Sequence, residues 1–291
     1  MMKALSIKPA SHHISTWGEG PLWWKDHLLY VDIEGHCIHR LNPENGNLTT
    51  WDIYEAIGTV VPSEDDNLLY AGSSGFVLYD PHTNTKTPLG NPESKMGNAV
   101  RFNDGKCDPA GRFWAGSISL KKEEGVANLY MLDHQRRLHF KMGGLTNSNG
   151  ICWSLDTKTL YHIDTPTKCI KSYPFDLKTG TLGTEQSQID TTEYGYDASP
   201  DGMCIDANGN LWVAFCHGGC VACFNPKEQK KLMHIDFPCL ETTACTFGGS
   251  KLDRLFVTTG IHKTKKETDA GKVFVVDGLN TCGVPAFPYQ G

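Results

Sequence analysis

The chain of 291 residues has no basic run or stripe; its charged content, 21% Asp, Glu, Lys and Arg with a net charge of -6, is ordinary for a globular protein. A surface without that footprint does not suit a phosphate backbone, so nucleic acid is not an expected partner. No apolar stretch approaches the roughly 20 residues of a membrane span, so no membrane-crossing segment is expected. The N-terminal MMKALSIKPASHHIS has no apolar h-region, which argues against a secretory signal. Helical periodicity is weak throughout, and no Gly-x-Ser-x-Gly elbow is present to supply a nucleophilic serine. No low-complexity linker divides the sequence, so residues 1–291 are expected to form a single domain. Cysteine is plentiful, but its number, 11, is odd, and Cys152, Cys204 and Cys245 sit inside apolar strand-like runs. Reduced, buried thiols and a cytoplasmic location are expected. No feature sets the oligomeric state, and a monomer or small homo-oligomer is expected.

What the chain has instead is a repeat. Six aromatic residues centre similar apolar segments: Tyr30 in LLYVD, Tyr70 in LLYAG, Trp114 in RFWAG, Tyr161 in TLYHI, Trp212 in NLWVA and Phe256 in RLFVT, separated by 40, 44, 47, 51 and 44 residues. Periods of 40 to 50 residues mark propellers and solenoids. Short apolar or alternating runs are bounded by turn residues at matching places: Glu44-Asn45-Gly46, Asp108-Pro109-Ala110-Gly111, Lys178-Thr179-Gly180 and Asn208-Gly209. Such residues preset or tolerate hairpin dihedrals. The pattern predicts an all-β protein, a six-bladed β-propeller with four-stranded antiparallel blades around a central channel. Residues Ala4 to Lys8 are expected to complete the blade that contains Lys272 to Asp277.

A polar register accompanies the repeat. Eleven residues ahead of each aromatic, or twelve for Tyr161, stand Glu19, Thr59, Asn103, Asn149, Asp201 and Cys245. If the units are copies of one module, these positions are equivalent and line the channel, because a slip of one residue turns a strand's side chains to the other face. Glu19, Asn149 and Asp201 then form an all-oxygen site for one divalent metal ion. The donor chemistry suits Ca²⁺, Mg²⁺ or Mn²⁺ and admits Zn²⁺. Two carboxylates buried together are costly without a cation, and three protein ligands leave coordination positions for water and substrate. Arg101 lies two residues before Asn103 and shares its face. Glu19, Asp104, Asn149 and Asp201 are each followed by glycine, which permits close backbone approach or a positive φ.

The segments GEGPLW (18–23), RFNDGKCDPAGRFWAGS (101–117), SNGICWSLD (148–156), SPDGMCIDANGNLWVA (199–214) and FGGSKLDRLFVTTG (247–260) resemble the regucalcin (senescence marker protein) and gluconolactonase family. They are most similar to its regucalcin-type members. The resemblance implies a six-bladed propeller with one divalent metal ion in the channel, and hydrolysis of sugar lactones such as aldonolactones to the open acids. The family's metal ligands fall on Glu19, Asn149 and Asp201, and its substrate contacts on Arg101 and Asn103. One position departs: where regucalcin-type members carry a glutamate that touches the sugar, the ungapped continuation places Lys121, with Glu123 and Glu124 just beyond. The mechanism expected at this site has Asp201 as general base, Arg101 stabilising developing negative charge or binding ring hydroxyls, and Asn103 positioning the sugar. Two other readings use the same metal: a phosphotriesterase-like hydrolase, and a calcium-binding regulatory protein without turnover. A protein-interaction propeller is a further alternative, but one with no use for converging carboxylates.

Other features are given structural roles. Cys216-His217-Gly218-Gly219-Cys220-Val221-Ala222-Cys223 looks like a soft-metal cluster, yet no second cysteine pair accompanies it and strand alternation separates Cys223 from Cys216 and Cys220. His12 and His13 are expected to be exposed. His162 and Asp164 lack a partner serine elbow, and His162 is placed mid-strand. The tryptophans are assigned to blade packing, with Trp17 close to Glu19. Lys263 to Lys266 reads as a solvated loop.

Overall fold

The computed structural model describes residues 4–192 and 198–291, which form six antiparallel sheets. Blade 1 comprises Gly18–Trp24, His27–Asp32, Cys37–Leu41 and Leu48–Asp52. Blade 2 comprises Ile57–Pro62, Leu68–Gly72, Gly75–Asp80 and Thr85–Gly90. Blade 3 comprises Val100–Cys107, Phe113–Ser119, Ala127–Leu132 and Leu138–Leu145. Blade 4 comprises Ser148–Trp153, Thr159–Asp164 and Cys169–Asp176, and two short strands, Thr181–Leu182 and Ser187–Asp190, share its outer edge. Blade 5 comprises Ser199–Ile205, Leu211–Cys216, Cys220–Asn225 and Lys230–Asp236. Blade 6 comprises Thr242–Gly248, Arg254–Thr259, Phe274–Asp277 and, from the other end of the chain, Ser6–Pro9.

The first strand of each blade packs on the first strand of the next, and Thr242–Gly248 packs back on Gly18–Trp24, so the first strands enclose one axis. The expected ring of six is therefore the observed architecture. The N-terminal strand closes it by antiparallel pairing, Ser6 with Asp277 through Pro9 with Phe274, close to the expected segment. That pairing occupies the outer edge of Phe274–Asp277, which would otherwise offer unpaired N–H and C=O groups.

All six repeat aromatics lie in the second strand of their blades. Tyr30, Tyr70, Trp114, Trp212 and Phe256 are almost fully buried between sheets, while Tyr161 keeps partial exposure. Two of the turn motifs also fasten the indole that follows them. Asp108 accepts the N–H groups of Ala110 and Arg112 with one oxygen, and with the other it accepts Arg112 Nε at 2.7 Å and Trp114 Nε1 at 2.9 Å. Asp206 repeats this with the N–H groups of Asn208 and Asn210 and with Trp212 Nε1 at 3.1 Å. One carboxylate thus fixes the hairpin and satisfies a buried indole donor. Every cysteine is free, and all but Cys282 are buried, in line with the expected thiols.

His162 is fully buried in the second strand of blade 4, where its Nε2 meets Ser148 Oγ at 2.8 Å and its Nδ1 has no partner. Burial, reinforced by Lys171, pushes it down from 6.5 to about 4. A histidine with a depressed folded pKa stabilises the fold above its unfolded pKa of about 6.5. That contribution is lost as pH falls from there through about 4. At 1.36 kcal/mol per pKa unit, the full loss is roughly 3 kcal/mol. Urea unfolding at pH 7 and pH 4.5 is expected to show a smaller acid loss in His162→Asn than in the wild type; equal losses would contradict this.

Candidate active site at the channel

A one-residue bulge interrupts the first strand of every blade. In blades 3, 4 and 5 the bulge pairs are Asn103-Asp104 opposite Gly116, Asn149-Gly150 opposite Ile163, and Asp201-Gly202 opposite Ala214. In blade 1 the bulge, Gly20-Pro21 opposite Tyr30, directly follows Glu19, and Gly20 has φ +54°. A bulge re-aims the side chain it carries, and here three of the four bulges begin on a site residue. Carboxylates at the ends of second strands fix the approach to these bulges. Asp32 accepts the N–H groups of Thr16 and Trp17 ahead of Glu19, and Asp164 accepts those of Thr146 and Asn147 ahead of Asn149.

Blades 2 and 6 depart from the expected register. Their extra residues are Gly58 and Thr243, so the bulge lies ahead of Thr59 and Cys245. Moving the bulge relative to a residue changes the face that residue takes. Thr59 donates to the carbonyl of Gly105 at 2.8 Å. Cys245 packs in the core shared with blade 5, with its Sγ 3.8 Å from that of Cys204. The proposed equivalence of six positions therefore fails at Cys245.

Glu19, Asn103, Asp104, Asn149 and Asp201 are all buried. Arg101 Nη1 donates to Asn103 Oδ1 at 2.9 Å, and Asn103 Nδ2 donates to the Asn147 side chain and to the Ser148 carbonyl, which bridges blades 3 and 4. Asn149 Nδ2 donates to Thr165 Oγ1 at 3.0 Å, and Thr165 donates onward to the Pro200 carbonyl, next to Asp201. This fixes the amide so that its Oδ1 is the free end. Asn149 Oδ1 and Asp201 Oδ1 are both buried without a hydrogen-bond partner. Burial, then Asp201 and Asp104, pushes the Glu19 carboxyl well above the usual carboxylate range. Burial and Asp104 do the same to Asp201, opposed by contacts from Asn149 and the Cys216 thiol. Asp104 is raised by burial and pulled back by Lys106.

Two orphaned oxygens and mutually repelling carboxylates form a donor set that Arg101 only partly offsets, since Glu19 stays raised despite it. Buried groups of this kind are ordinarily satisfied, and a divalent cation would accept both free oxygens and relieve the repulsion. The residues present therefore fit a metal ion. Lys121 is exposed in the turn after Phe113–Ser119, on the side of blade 3 where Val100 and Arg101 begin the first strand. Among the described residues no hydrogen bond or ion pair joins it to Arg101 or Asn103.

Glu241 was not foreseen. It is 2% exposed, accepts the Cys216 thiol at 3.1 Å and the His217 N–H and Nδ1, and faces His262 at 3.7 Å. Cys216 in turn contacts Asp201. The cysteine-histidine run thus braces a buried carboxylate beside the cluster, while Cys220 and Cys223 enter two different cores. Glu241 precedes its blade with no repeat signal that would single it out.

Fold and cluster together define a six-bladed propeller with an oxygen-donor site on its axis. Residues 17–261 match the model of the SMP-30/Gluconolactonase/LRE-like region, and the chain belongs to that family. It is 34% identical to regucalcin of Danio rerio and 34% identical to the putative sugar lactone lactonase YvrE of Bacillus subtilis, in each case over 94% of this chain and 95% of the relative. In structure it is similar to a calcium-binding protein, regucalcin, of Agrobacterium tumefaciens, with a TM-score of 0.91, 24% identity and coverage of 99% and 98% of the two chains.

Proposed function

We propose that this protein hydrolyses sugar lactones, such as aldonolactones including gluconolactone, to the open acids with the help of one divalent cation held by Glu19, Asn149 and Asp201. The observation that carries this reading is the pair of orphaned oxygens on Asn149 and Asp201 beside the raised Glu19 carboxyl. The names of the two relatives, one a putative sugar lactone lactonase, support it. A bound Ca²⁺, Mg²⁺, Mn²⁺ or Zn²⁺ supplies Lewis-acid polarisation of a carbonyl and lowers the pKa of water. Hydrolysis adds water to the carbonyl carbon and breaks its bond to the ring oxygen. Asp201 takes the proton of the attacking water and returns it to the departing ring oxygen. The Arg101 guanidinium, tied to Asn103, balances the charge that develops on the carbonyl oxygen and meets ring hydroxyls. Asn103 positions the sugar, and Lys121 offers a positive charge to an anionic substituent.

The test is a pH-stat assay on a panel of aldonolactones, before and after chelation and with each cation restored. Chelator-sensitive acid release that returns with a cation is expected. Cation binding without turnover of any lactone would instead favour a calcium-binding regulatory protein. Faster hydrolysis of an organophosphate than of every lactone would favour the phosphotriesterase reading. The Arg101–Asn103 pair beside the donor set weighs against a pure buffer, which has no use for substrate-binding groups.

A further inference from the structure

Blade 1 carries a second set of side chains of metal-ligating type, remote in chemistry from the oxygen donors of the channel. Strand alternation places Tyr30 and Asp32 of the second strand, Cys37 and His39 of the third and Thr50 of the fourth on one face, with Asp32 paired to Cys37, Tyr30 to His39 and His39 to Thr50. Donor atoms of Asp32, Cys37 and His39 lie within 4.8 Å of one another, and all three residues are buried. Cys37 Sγ and His39 Nε2 are 3.3 Å apart. Two such ligands on one tetrahedral ion, at the usual zinc–sulfur and zinc–nitrogen lengths, stand about 3.5 Å apart.

The surroundings complete the set. His39 Nδ1 meets Thr50 Oγ1 at 2.9 Å, the outer hydrogen bond that orients a ligating histidine and leaves Nε2 as its donor. His13, expected to be exposed, instead lays its ring 4.5 Å from that of His39, and its Nε2 is buried with no hydrogen-bond partner. Asp32 spends three acceptor positions on the N–H groups of Thr16, Trp17 and Gly35, which leaves one of roughly four for a cation.

We propose that Cys37 Sγ, His39 Nε2 and Asp32 form a site for a borderline divalent cation of the zinc class, and that the His13 ring turns its unpartnered Nε2 in as the fourth ligand when the ion binds. Coordination forms the metal–sulfur bond as the Cys37 thiol proton leaves to solvent. His13 belongs to the segment that runs along blade 6, where Ala10 and Ser15 donate to the carbonyls of Val273 and Gly271. An ion at this site therefore fastens blade 1 to that segment across the seam where the ring closes. It is a structural site, joined to the channel only through Asp32, which also holds the approach to Glu19.

Cobalt(II) titration of the full chain in excess Ca²⁺ tests this, because the channel's oxygen donors cannot produce a thiolate-to-cobalt charge-transfer band. The expected result is a band that saturates, is displaced by Zn²⁺, disappears in Cys37→Ser and persists in Cys216→Ser. Zinc at a hundredfold excess over Kd is expected to raise the wild-type thermal midpoint by about 5 °C and to leave Cys37→Ser unmoved. If Cys37→Ser does not fold, His39→Gln should weaken cobalt binding at least about tenfold. Absence of the band in the wild type, its survival in Cys37→Ser or its loss in Cys216→Ser overturns the proposal.

Discussion

Replacing Asp201 by Ala is expected to lower kcat/KM for lactone hydrolysis by at least about 10³-fold, equivalent to roughly 4 kcal/mol of transition-state stabilisation. The variant loses a cation ligand and the acceptor of the water proton together. It is expected to fold, because in the cation-free protein the burial of Asp201 and its repulsion by Asp104 outweigh its contacts with Asn149 and the Cys216 thiol. Its carboxyl is raised by burial and by Asp104, and its Oδ1 has no partner. The thermal midpoint without added cation is therefore expected to stay level or rise, while the extra stability conferred by a cation on the wild type is lost. Turnover within tenfold of wild type would remove Asp201 from the mechanism. A large fall in the cation-free midpoint would show that its role is structural.

The second large effect concerns stability. Gly202→Ala is expected to cost about 3 kcal/mol and to lower the thermal midpoint by roughly 5 °C. A Cβ at Gly202 would overlap Ala244, whose Cα would lie at 2.7 Å, with the Thr243 carbonyl at 3.1 Å. These atoms belong to the neighbouring first strand, which is backbone in a closed ring and cannot move aside as a flexible side chain would. Gly202 sits in the Asp201 bulge, so the strain is expected to lower activity at a temperature where the variant is still folded. Calorimetry beside an activity assay checks both halves. A midpoint within 2 °C of wild type would mean that the strands yield more easily than a close-packed ring should.

Much of this was legible in the chain. The spacing of Tyr30, Tyr70, Trp114, Tyr161, Trp212 and Phe256 revealed the blades because each aromatic does the same packing job. The glycines behind Asn149 and Asp201 were readable as places of close approach. The register failed at Cys245 because a bulge of one residue leaves spacing along the chain nearly unchanged while it reverses a side chain's face. Glu241 escaped notice because its partners, Cys216 and His217, come from the neighbouring blade. His13 escaped for a similar reason, since only ring closure brings the N-terminal segment over His39.

The sequence by itself determined the number of blades, their order and the residues able to offer oxygen to a cation, because these follow from local periodicity and side-chain chemistry. Only the tertiary structure decided which of those residues meet. The bulges aim Asn103, Asn149 and Asp201, Thr165 turns the Asn149 amide, and Asp32 and Asp164 hold the approaches to Glu19 and Asn149. These are contacts between strands and blades far apart in the chain, and their geometry exists only once the ring has closed.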